Sequence, residues 1–125
     1  MIEITIFTLE HEGHTPPFRA YPPATARRIL ETKAAPPSHL VRVPADLDIE
    51  SALDAAYVAG NGFPAADVRM SQLRRTRSTS IGDLMLLHAT GQVFLVASFG
   101  FEPMFTLSPT EVQALLEEPH ATQIR

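Results

Sequence analysis

Apolar residues along the chain fall into short runs whose spacing switches between the period of a strand and that of a helix. Ile2, Ile4 and Ile6 alternate with Glu3 and Thr5, while Phe7 and Leu9 continue in the opposite parity. That double pattern predicts a strand partly covered on both faces, and so a central place in a sheet. Glu10 to Pro23 carries His, Gly, Thr and four prolines, which cannot continue a ladder and which push pre-proline residues into extended conformations. A long loop is expected there.

Pro22-Pro23 suits the start of a helix from Thr25 to Lys33, with Ala24, Ala26, Ile29 and Leu30 as its apolar stripe and Pro36-Pro37 as its stop. His39 to Val43 reads as a short strand ended by Pro44. Asp46 or Asp48 can cap a following helix from Ile49 to Ala59, in which Ile49, Leu53, Ala56 and Tyr57 recur at helical spacing. Gly60 is expected in the left-handed position just past its end. Asn61-Gly62-Phe63-Pro64 reads as a turn, and Ala65 to Arg77 shows no clear period and is expected to be irregular.

The densest stretch is Arg77 to Met104. Ile81-Gly82-Asp83 opens it, Leu84 to Leu87 and Val93 to Ala97 are apolar runs, and Thr90-Gly91 supplies the turn of a hairpin. Phe105 to Leu107 can add a short strand. Ser108-Pro109-Thr110-Glu111 is a capping box with proline at the first helical position, and it predicts a helix to Glu118 with Val112, Leu115 and Leu116 facing inward. Strands and helices are mixed and no glycine-rich phosphate loop precedes a helix. The expected fold is therefore α+β: one domain over residues 1–125, with a small, mostly antiparallel sheet, a hairpin in its C-terminal half, and two or three helices packed on it.

Composition narrows the classes. With 45% apolar and 19% charged residues the chain has the make-up of a folded domain and not of a disordered one. No run approaches the length of a membrane span, and MIEITIFTLE lacks a basic leader, so a cytoplasmic protein without membrane contact is expected. The chain contains no cysteine, which removes disulfides, thiolate catalysis and cysteine-ligated metal together. A net charge of −4 argues against global attraction to nucleic acid, though not against a local basic patch.

Four groups of residues could carry chemistry. Glu10-His11-Glu12-Gly13-His14 offers the donors that Zn²⁺, Ni²⁺ or Cu²⁺ prefer, but not at the helical spacing of metalloproteases; a solvated loop is the better reading, with His11 and His14 as weak metal candidates. Ser78, Thr79 and Ser80 stand near Asp83 and His88, the residue types of a serine hydrolase, yet without the glycine-flanked elbow. Hydroxyls capping a turn, with Arg77 tying that turn to a carbonyl or carboxylate, account for the same residues. Arg69, Arg74, Arg75 and Arg77 gather four of nine arginines in nine positions and would supply phosphate contacts if they emerged on one face. Phe94, Phe99, Phe101 and Phe105 gather four of seven phenylalanines, with Phe99, Phe101 and Phe105 in one parity and Phe94 in the other, and core packing is the default for them. Gly60-Asn61-Gly62 follows a helix and reads as its cap, not as a phosphate cradle.

Arg77-Ser78, then Ser80-Ile81-Gly82-Asp83, then the hairpin and Ser98-Phe99-Gly100-Phe101 together resemble the YodL-like family, short proteins encoded largely on plasmids, phages and integrated elements. The resemblance is confined to Arg77–Met104. It implies a setting, mobile genetic elements, and carries over no catalytic residue. The expected function is that of a non-enzymatic accessory protein without cofactor, binding another protein as adaptor or inhibitor through Arg69, Arg74, Arg75, Arg77, Ser78, Ser80, Asp83, Phe99 and Phe101. Nucleic-acid binding through the Arg69–Arg77 segment is the first alternative, and a metal-dependent hydrolytic enzyme using His11 and His14 is the second.

Overall fold

A computed structural model describes residues 1–9 and 21–117. Its nine elements are β1 (Ile2–Phe7), α1 (Pro23–Glu31), β2 (His39–Val43), α2 (Ile49–Gly60), β3 (Arg69–Gln72), β4 (Leu84–Leu87), β5 (Gln92–Val96), β6 (Phe101–Thr106) and α3 (Pro109–Leu116). The six strands form one sheet in the order β3-β2-β1-β4-β5-β6, antiparallel at every step. β1 is internal, as its double pattern requires. Ile4 and Ile6 enter a core with Val41, Val43, Met85 and the α2 residues Ala52, Leu53 and Ala56. Phe7 and Leu9 enter a second core on the opposite face, with Leu84, Leu86 and Val93 beneath Ala26 and Leu30 of α1. Helix α3 lies on that second face without a fully buried residue, resting Val112, Leu115 and Leu116 against it. The fold is thus α+β, with α2 on one side of the sheet and α1 and α3 on the other.

Local signals account for most element ends. Asp48 caps α2 by accepting from Ser51 N at 2.8 Å, and Ser108 and Glu111 form the reciprocal capping box of α3 at 3.1 and 2.9 Å. Gly91, at φ +78°, turns β4 into β5. The predicted helix to Lys33 stops at Glu31, because Lys33 adopts φ +58° and Ala34 N donates back to Ile29 O, closing the last turn.

Further expectations are corrected. The segment 65–77 is not irregular throughout: β3 lies within it, a polar edge strand held by pairing with β2 from Arg69↔Arg42 to Gln72↔His39. Gly60 does not take the left-handed position. It ends α2 in helical conformation, and Gly62 at φ +93° makes the turn, with Phe63 N donating to Val58 O. Glycine is needed at 60 for space, since a Cβ there would overlap Thr79 Oγ1. The last strand begins at Phe101, well before Phe105, and its pairing slips between Val93 and Phe94. That bulge breaks the parity of the phenylalanines: Phe101 joins Phe94 on the α2 side, whereas Phe105 joins the core under α1 and α3. Finally, α3 ends at Leu116, with Glu117 extended.

Candidate functional site

Asp83 is fully buried at the entry to β4, and every lone-pair direction of its carboxylate is used. Oδ1 accepts from Leu9 N at 3.0 Å and from Arg77 Nη2 at 2.8 Å, and Oδ2 accepts from Arg77 Nη1 and Ser80 N, each at 2.9 Å. Arg77 also donates to Leu9 O at 2.7 Å, Ser78 O at 2.9 Å and Ser80 Oγ at 3.0 Å. The bidentate pair therefore clamps the end of β1, the 77–80 segment and the start of β4. A carboxylate so fully occupied is structural, and the reading of Arg77 as the tie of this turn holds.

The structure does not bring Ser78, Thr79 or Ser80 together with both Asp83 and His88. Asp83 and His88 stand at opposite ends of β4, about 17 Å apart at roughly 3.4 Å per residue. His88 instead shares a hydrogen bond of 2.6 Å between its Nε2 and Thr5 Oγ1, and its Nδ1 lies 3.6 Å from Glu3 Oε1. Glu3 in turn accepts from Arg42 Nε at 2.9 Å. Burial pulls the His88 imidazole below its usual range against the opposing pull of Glu3. Among the described residues no group of three or more His, Asp or Glu is placed to hold a metal ion, and His11 and His14 lie outside the described residues.

The arginines do not form one face. The register puts Arg69 beside Arg42 at one end of β3, and Arg74 follows the other end, where it donates to Thr8 O at 3.2 Å and Pro36 O at 3.3 Å. Arg77 is committed to Asp83 and Leu9. Arg69 and Arg75 are left exposed, on a strand edge and in a loop, as are Ser78 and Ser80.

The clamp does adjoin the aromatic end of the sheet. Gly82 N donates to Val96 O at 2.9 Å and Val96 N to Asp83 O at 2.9 Å, which fastens the 80–83 turn to the end of β5. From there the chain reverses through Ala97 to Gly100, closed by Ala97 N donating to Gly100 O at 3.1 Å with Gly100 at φ +78°. Phe99 projects from this tight turn with 97% of its surface in solvent. Phe101, two residues on, folds back against α2 and meets the Tyr57 ring edge-on at 6.5 Å between centroids. Between α2 and this turn runs a groove of about 660 Å³ whose lining includes Tyr57, Ile81, Val96 and Phe101, with Glu50, Asp54 and Asp67 among its polar residues.

Of the residues expected to form a surface, Ser80, Phe99 and Phe101 thus lie at one end of the sheet with Arg77 and Asp83 supporting them from behind, and Arg69 lies at the other end. The α2 side of the groove was not foreseen. Glu50, Asp54 and Tyr57 share one helical face by their spacing, but only the tertiary fold brings that face to Phe101. Compared with known proteins, the chain matches no family model, no curated protein and no solved structure.

Proposed function

We propose that the chain is a non-enzymatic accessory protein of the cytoplasm, encoded on a plasmid, phage or integrated element, that binds a host or element protein as adaptor or inhibitor. The resemblance of Arg77–Met104 to YodL-like proteins supports the setting. The observation that carries the binding reading is Phe99, an aromatic ring standing in solvent on a four-residue turn beside a groove with an aromatic floor. Exposing a phenylalanine forgoes about 2 kcal/mol of burial, and a turn anchored on both sides presents it at low entropic cost. Anchors of this kind, aromatic and next to a pocket, dominate protein interfaces. The arginine segment supports nucleic-acid binding less well, since Arg74 and Arg77 spend their donors on Thr8, Pro36, Leu9 and Asp83.

The test is affinity capture from nuclease-treated and untreated lysate, comparing wild type, Phe99→Ala and Arg69→Ala/Arg75→Ala. A protein retained by wild type and by the arginine variant, and lost from Phe99→Ala, is the expected result. Recovery of nucleic acid in untreated lysate, lost in the arginine variant, replaces the reading with nucleic-acid binding.

A further inference from the structure

The groove beside Phe99 carries charge of one sign. Glu50 and Asp54 stand one turn apart on the exposed side of α2, and Asp67 lies on the loop that leads to β3; among the described residues no lysine, arginine or histidine lines the groove. None of the three carboxylates forms an ion pair among the described residues. Glu50, in the first turn of α2, gains from the helix dipole, but Asp54 and Asp67 have no such compensation. Glu50 also reaches the turn that carries Phe99: a Cβ built on Gly100 would stand 3.3 Å from Glu50 Oε1. Tyr57, Phe101 and Val96 line the same groove, the two rings packed edge to face, and aromatic rings attract cations as well as pack apolar groups.

We propose that this groove takes a cationic segment of the partner protein, one in which lysine or arginine residues flank an aliphatic or aromatic side chain. The inference rests on the protein-binding reading and specifies its partner. The apolar side chain packs on Tyr57 and Phe101 beside Phe99, and the flanking cations meet Glu50, Asp54 and Asp67. An acidic or phosphate-bearing segment is repelled by the same three carboxylates, so the groove selects as well as binds.

The experiment is selection of decapeptides from a random displayed library on the full chain, followed by anisotropy titration of the enriched sequence as a labelled synthetic peptide. Wild type and the double variant Glu50→Gln/Asp54→Asn are compared. Both side chains are exposed, so the variant is expected to fold as wild type does, which circular dichroism checks. The expected result is enrichment of peptides with two or more Lys or Arg around an apolar position, with affinity falling at least about tenfold in the variant and again when NaCl is raised from about 50 to about 500 mM. Enrichment of neutral or acidic peptides, or equal binding by the variant, overturns the partner chemistry; a protein still lost from Phe99→Ala in the capture experiment then leaves the binding reading standing. No enrichment together with no captured protein overturns both.

Discussion

Arg77 holds the carboxylate of Asp83 through two parallel hydrogen bonds of 2.9 and 2.8 Å, the acid wholly buried and the Arg77 side chain 44% exposed. The pair links three segments that are remote or only loosely joined in sequence, because the same two side chains also bind both backbone groups of Leu9 and the backbone of Ser80. Removing the acid leaves Leu9 N and Ser80 N without their acceptor and takes the paired carboxylate from Arg77. Asp83→Ala is expected to lower stability by about 3 kcal/mol, and Arg77→Lys by about 1–2 kcal/mol because an ammonium cannot bind both oxygens in the plane. Urea denaturation measures both; a loss under about 1 kcal/mol for Asp83→Ala rules out the clamp as a structural tie.

Gly60 and Thr79 are coupled by space. Alanine at position 60 gains about 1 kcal/mol of helix propensity, but its Cβ overlaps Thr79 Oγ1 and crowds Ile6 Cδ1 in a closed core. The overlap outweighs the gain, and Gly60→Ala is expected to cost about 1–3 kcal/mol net. Thr79 Oγ1 is buried with no hydrogen-bond partner among the described residues, so Thr79→Ala removes the closest overlap and an unsatisfied hydroxyl, while the Cβ of residue 79 and Ile6 Cδ1, each 3.0 Å from the added methyl, still crowd it. In a double-mutant cycle the second substitution should recover part of the loss; strict additivity would show that the two sites do not touch.

Stability should fall as pH drops through the histidine range. Burial holds both His39 and His88 below the usual imidazole value of 6.5, with the nearby carboxylates Asp83 and Glu3 only partly offsetting it. The folded chain then binds fewer protons than the unfolded chain, so the stabilisation is complete above about 6.5 and is lost as pH falls through that value toward the lower folded values. Glu3, held below the usual carboxylate range chiefly by its Arg42 hydrogen bond, adds a further loss at more acidic pH. Urea midpoints from about pH 8 to about pH 5 should slope downward in wild type and flatten in His39→Gln/His88→Gln. A wild-type midpoint constant over that range would count against burial as the cause.

Phe99 and Phe94 should separate binding from folding. Phe94 is buried beneath α2, so Phe94→Ala is expected to cost about 3–5 kcal/mol. Phe99 touches little of its own chain, so Phe99→Ala should stay within about 0.5 kcal/mol of wild type while losing the captured protein. Thermal unfolding read beside capture decides it: a large fall in melting temperature for Phe99→Ala would place that ring in the core.

Local grammar was legible along most of the chain. Alternation across Ile2–Leu9 placed β1 inside the sheet, Asp48 and the Ser108–Glu111 box started two helices, and Thr90-Gly91 joined β4 to β5. Each of these depends on residues within a few positions of one another, so the sequence by itself determined them, along with the mixed α+β class and the tie between Arg77 and the turn at Asp83. What only the tertiary structure decided involves partners far apart in the chain. Arg-Met-Ser-Gln has no strand period of its own and becomes β3 because β2 offers it an edge. Gly60 is required by a threonine nineteen positions away, and Phe101 and Phe105 part company because a bulge shifts the register against β5. The arginine cluster dissolved for the same reason: its donors were claimed by the backbone of Thr8, Leu9 and Pro36, brought near only when β1 and the 73–83 segment meet. Short-range hydrogen bonding and hydrophobic period are written in neighbouring residues, whereas which side chain is spent inside the fold and which is left to meet a partner is settled by packing between distant ones.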